Sequence, residues 1–108
     1  REIYVFPDEV VIKIKDAKVT NYDATGSMLP FLGKGSNGIV VKPSSPDDIN
    51  VGDIISFYSN GSLVVHRVIE KGVDSGGIYF ITKGDNDDFS DGKVRFLEIE
   101  HKLVGLVY

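Results

Sequence analysis

Ile54-Ile55-Ser56-Phe57-Tyr58-Ser59-Asn60-Gly61-Ser62-Leu63-Val64-Val65-His66-Arg67-Val68-Ile69 holds the strongest short-range structural signal in the chain. Two runs rich in β-branched and aromatic residues flank Asn60-Gly61, and both turn residues tolerate the positive φ that a two-residue hairpin requires. The runs should therefore pair directly as antiparallel strands. Asn60-Gly61-Ser62 also satisfies the glycosylation sequon, although a turn needs the same residues. Outward from the hairpin, similar runs recur at Ile3–Phe6, Val10–Ile14, Ile39–Lys42, Asp53–Tyr58, Leu63–Glu70, Ile78–Thr82 and Lys102–Tyr108, separated by Gly, Asn, Asp, Ser and Pro clusters. That rhythm predicts an all-β fold, mainly an antiparallel sandwich or barrel-like arrangement. No window sustains apolar spacing at i, i+3, i+4 and i+7, and twelve glycines weaken any helix drawn across them, so little or no helix is expected. Gly33–Gly38, Pro43–Asn50 and Gly84–Gly92 read as loops.

The 108 residues suit one domain spanning 1–108, of a size that hides roughly 60–65% of its unfolded surface. Charged residues make up 26% and hydrophobic ones 42%, which fits a folded protein and not a disordered one. The net charge of −4 and singly scattered Lys and Arg supply neither a basic stripe nor stacking aromatics, which argues against nucleic acid as a partner. Without cysteine there can be no disulfide, thiolate zinc site or thiol nucleophile. No cofactor or metal is expected. The apolar runs fall far short of the roughly 18 residues of a spanning helix, so these residues read as soluble. The only methionine is Met28, which suggests that Arg1 marks a processed start.

Three segments could carry chemistry. In Thr25-Gly26-Ser27-Met28-Leu29-Pro30 a serine follows a glycine, where the backbone can turn sharply and present the hydroxyl, although a plain turn serine fits the same pattern. A serine hydroxyl is a poor nucleophile without a base in reach. His66 lies mid-strand on the face of Val64 and Val68, where an idle imidazole is unusual but a hydrogen-bonded core histidine is common. His101 follows Glu98 and Glu100 and reads as a solvated residue at a strand start. The third segment, Thr82-Lys83-Gly84-Asp85-Asn86-Asp87-Asp88-Phe89-Ser90-Asp91-Gly92, packs four aspartates into the span from Asp85 to Asp91. These can be a solvated acidic loop with Asx-turns, or a calcium loop in which Phe89 stands where a ligand is needed. Alternatively, one of them orients a histidine by accepting from its second ring nitrogen.

Taken together, these segments resemble type I signal peptidases of the archaeal or endoplasmic-reticulum kind, over about Thr25 to Gly105. Thr25–Pro30 is similar to the family's nucleophile box and Val51-Gly52-Asp53-Ile54-Ile55 to its Gly-Asp strand start. Val65-His66-Arg67-Val68-Ile69 matches the base box and Thr82-Lys83-Gly84-Asp85-Asn86 the last box. Bacterial relatives carry a lysine before the arginine, where this chain has His66. The resemblance implies a serine endopeptidase that removes signal peptides from secretory precursors, with Ser27 as nucleophile and His66 as base. The two late acidic positions fall on Asp85 and Asp91, with Asp91 favoured as the orienting acid and Asp85 shaping the loop. It further implies an oxyanion site from the Ser27 N–H and the Thr25 hydroxyl, and Met28, Leu29 and Phe31 as the nearest candidates for pocket walls. Gly33-Lys34-Gly35-Ser36-Asn37-Gly38 lacks the acidic residue many relatives place after the proline. The family's membrane anchor has no counterpart in these residues, so an anchor is expected elsewhere in the protein. The expected setting is the cell membrane, with the domain on the extracytoplasmic or lumenal face and accessory subunits unspecified. A self-cleaving repressor-like domain would need a lysine base and a cleavable segment of its own, and neither is evident. A non-catalytic secretory subunit or calcium-binding β-module would keep the fold and lose the chemistry.

Overall fold

The computed structural model describes Met28 and residues 37–106 with their side chains, and residues 2–6, 9–13, 17–21 and 107 as backbone. The chain is all-β, with strands β1 (Glu2–Phe6), β2 (Glu9–Lys13), β3 (Ala17–Asn21), β4 (Asn37–Val41), β5 (Ile54–Ser59), β6 (Ser62–Asp74), β7 (Gly77–Lys83), β8 (Lys93–Arg95) and β9 (Ile99–Val107). Among the described residues the only helical turns are 3-10, at Pro46–Asp48 and Phe96–Glu98. Among the described residues no helix is long and apolar enough to cross a membrane. β1 and β2 pair as a two-stranded ribbon, and the other strands form one antiparallel sheet in the order β3-β4-β9-β5-β6-β7-β8.

The hairpin expected at Asn60-Gly61 joins β5 to β6, with φ of 51° and 79° at the two turn residues and Ser59 opposite Ser62. Its register runs from Ile54 opposite Arg67 to Tyr58 opposite Leu63. Residues paired across an antiparallel ladder share a face, so the register sorts the side chains. Ile55, Phe57, Val64, His66 and Val68 share one face, and Ile54, Ser56, Val65 and Arg67 the other. The first face carries the main core of Ile49, Ile55, Phe57, Val68, Phe80, Val94 and Ile99. The second buries Met28 and Ile54 against Val65, Leu103 and Leu106.

β6 is the longest strand and changes partner midway. Its first part, Ser62–Arg67, pairs with β5, and its second, Arg67–Asp74, pairs with β7. Gly52 N–H donates to Val68 O at 2.8 Å and Val68 N–H to Asp53 O at 2.7 Å, so the two ladders overlap only around Arg67 and Val68. A bulge between Val68 and Glu70 follows the overlap, as bulges do where a strand must bend.

Pro43–Asn50 is irregular as expected but firmly held. Asp48 accepts from the Ser44 and Ser45 N–H groups, Lys71 Nζ donates to the Pro46 and Ile49 carbonyls, and Ile49 is fully buried. Of the expected loop Gly33–Gly38, residues 33–36 lie outside the described residues, while Asn37 and Gly38 open β4. β3 and β8 were not anticipated. Ala17-Lys18-Val19-Thr20-Asn21 has only Val19 and Thr20 as strong strand formers, and Lys93-Val94-Arg95 has one apolar residue. β8 is held by Arg95 and Lys93 converging on Asp74 of β6, which keep that carboxyl well below its usual range. Its lysine and arginine also discourage pairing with foreign strands at this edge.

Candidate active site

His66 and Arg67 are consecutive on a strand and therefore point to opposite faces, at the point where β6 passes from β5 to β7. Loop 84–92 leaves β7 beside them and straddles the strand. On one side Asp85 binds Arg67 through a two-pronged pair, Nε to Oδ1 at 2.9 Å and Nη2 to Oδ2 at 2.8 Å. The Arg67 guanidinium, chiefly through these hydrogen bonds, holds the Asp85 carboxyl below its ordinary value, and Asp85 raises Arg67 in return. Arg67 Nη1 also donates to the Gly52 carbonyl at 2.9 Å, which ties the Gly-Asp turn to the acidic loop.

On the other side Asp91 reaches His66, with Nδ1 2.6 Å from Asp91 Oδ2. A carboxylate can only accept, so Nδ1 carries the proton and Nε2 bears the lone pair in the neutral ring. The His66 side chain is 11% exposed, and Ile55, Val64 and Val68 share its face of the sheet. Thr82, fully buried on β7, donates its hydroxyl to the same Asp91 oxygen at 2.6 Å, and Asp91 N–H donates to Thr82 O at 2.7 Å. Asp87 Oδ2 lies 3.4 Å from His66 Nε2. There it pairs with an imidazolium and opposes a bare lone pair.

Of the residues expected from sequence, His66 and Asp91 are brought together, while Asp85 is engaged with Arg67. Ser27, Thr25, Leu29 and Phe31 lie outside the described residues. Met28 is buried beside Ile54, and its sulfur accepts from Asp85 N–H at 3.3 Å. The residue next to the expected nucleophile is thus fixed to the loop that carries both acids. Ile54 and Arg67 also line a groove of about 300 Å³ with Gly52, Asp53 and residues 103–106. His101 is within β9 opposite Ser56, not at a strand start, and lies on the face away from His66. The loop is flanked by β7 and β8 where a helix-loop-helix calcium site requires helices. Among the described residues no three acidic or histidine side chains converge as metal ligands.

Sequence reasoning assigned no role to Asp87, Thr82 or Arg67 in this arrangement. For Thr82 a signal existed, because it alternates with core residue Phe80, and a hydroxyl on a buried face needs a partner. The fold and site together define an all-β protein with a carboxylate-bracketed histidine at the bend of its longest strand. Compared with models of known families, with curated proteins and with solved structures, the chain matches none.

Proposed function

We propose that this chain is a serine endopeptidase of the Ser-His-Asp type that removes signal peptides from secretory precursors at an extracytoplasmic or lumenal membrane surface. The observation that carries the reading is the 2.6 Å contact between Nδ1 of a nearly buried histidine and Asp91. It leaves Nε2 as the ring's proton acceptor. Ser27 Oγ would attack the scissile carbonyl while Nε2 takes its proton. The tetrahedral intermediate then collapses as His66 returns that proton to the leaving amine, and water hydrolyses the acyl ester on Ser27 by the same route in reverse. The Ser27 N–H and Thr25 hydroxyl would receive the oxyanion. Asp85, tied to Arg67 and to the backbone-sulfur contact with Met28, anchors the loop.

Substrate geometry supports the same reading. Ser62–Val65 pairs with β5 on one side, and among the described residues no strand pairs with these four on the other. An extended precursor segment can add there as a strand, with main-chain hydrogen bonds setting its register.

Cleavage of a membrane-inserted precursor tests the proposal. Ser27→Ala and His66→Ala should each reduce it to background, and Asp91→Asn should lower kcat by roughly three to four orders of magnitude. Processing that survives Ser27→Ala ends the proposal. A non-catalytic calcium module would instead show saturable heat on calcium titration and no Ser27-dependent cleavage.

A further inference from the structure

We propose that Thr82 is a positioning residue, whose hydroxyl and carbonyl together fix which oxygen of Asp91 faces the His66 ring. The inference rests on the Ser-His-Asp reading above and adds a member to it. Asp91 sits in a nine-residue loop and its side chain is 32% exposed, so the orientation of its carboxylate depends on the groups that bond it. The terminal torsion of aspartate is broad and nearly two-fold, and without restraint either oxygen could face the ring at a range of angles. Thr82 removes that freedom from two directions. Its carbonyl accepts from Asp91 N–H at 2.7 Å, which sets the residue's position, and its hydroxyl donates to Oδ2 at 2.6 Å, which sets the carboxylate's rotation. The same Oδ2 then receives Nδ1 at 2.6 Å. An oxygen with two lone pairs is filled by these two donors, so the ring can approach along one direction only.

Thr82 is in turn held by the sheet. It pairs with Val68, two residues beyond His66 on the same face, and is fully buried. Base and positioning hydroxyl thus sit on paired strands, and the acid is tied to them through its backbone N–H. Among the described residues, Asp87 at Nε2 and the apolar Ile55 of β5 also face the ring, and the Asp85 charge is felt from across the strand. Arg67 is engaged with Asp85 across the strand.

The test separates hydroxyl from volume. Thr82→Val keeps the shape and deletes the donor, so the protein should remain folded, with some loss of thermal stability, while kcat falls roughly 10- to 100-fold with KM little changed. The acid limb of the pH–rate profile should move to higher pH, because a carboxylate with one donor fewer holds the imidazolium proton more tightly. Thr82→Ser keeps the hydroxyl and should restore rate and profile, whereas Thr82→Ala should not. In parallel, ¹⁵N ring shifts of His66 across pH report its titration without turnover. They should be altered in Thr82→Val and Thr82→Ala and wild-type-like in Thr82→Ser. An unchanged ring titration in both hydroxyl-less variants, or Thr82→Ser behaving like Thr82→Ala, overturns the inference. If the ring responds as stated while neither wild type nor variants cleave precursor, the positioning stands and the peptidase reading fails.

Discussion

The imidazole of His66 has a carboxylate at each ring nitrogen, and the two have opposite consequences for a base. Asp91 at Nδ1 fixes the tautomer in which Nε2 is the proton-accepting nitrogen. Asp87 at Nε2 favours the charged ring, which cannot accept one. Asp87→Asn should therefore shift the acid limb of the pH–rate profile to lower pH and raise the rate at mildly acidic pH. An unshifted limb would show that Asp87 does not influence the ring in solution. His66 and an acid partner for it were legible in the sequence, because a histidine on an apolar strand face needs a partner and an aspartate-rich loop supplies one. The ranking of Asp85 against Asp91 rests on parity. His66 and Arg67 face opposite ways, and the path of loop 84–92 decides which acid reaches which face, a long-range property that residue spacing does not encode. The place of Asp87 beside the ring is hidden in the sequence for the same reason.

Among elements, the turn at Gly52 and loop 84–92 are linked through one side chain. Arg67 reaches the Gly52 carbonyl and both oxygens of Asp85 at once, which a planar fork can do and an ammonium cannot. Arg67→Lys should destabilise the fold by about 1–2 kcal/mol in chemical denaturation and loosen the loop. The pH dependence of this clamp has a definite sign. Asp85 titrates lower in the folded protein than in the unfolded chain, so its stabilisation is present above the ordinary carboxylate range and is lost as pH falls through the folded value. Acid unfolding of Asp85→Asn should accordingly show a shallower dependence on pH than wild type. Gly52 itself has φ of +100°, with nothing within 4 Å of an added Cβ. Gly52→Ala thus isolates backbone strain, about 1–2 kcal/mol by thermal or chemical unfolding. Gly92, equally open and without positive φ, is the control that should tolerate alanine. Seven of the nine described strands were readable from local composition. β3 and β8 were not, because a short polar edge strand is created by the ladder it joins, reinforced in β8 by the ion pairs of Lys93 and Arg95 to Asp74.

Across the molecule, the main core draws on β5 to β9 and the segment around Ile49, with Phe80 fully buried among them. Phe80→Ala should cost about 3–5 kcal/mol, enough to unfold much of a marginally stable domain at moderate temperature, and calorimetry would measure it. The change of partner along β6 leaves the β3-β4-β9-β5 group and the β7-β8 group sharing a single strand. Each group should open as its own cooperative unit in native-state hydrogen exchange, with amide protection stepping between two levels near Arg67. His66 stands at that seam, so local opening of either half would silence the histidine long before the chain as a whole lost its structure.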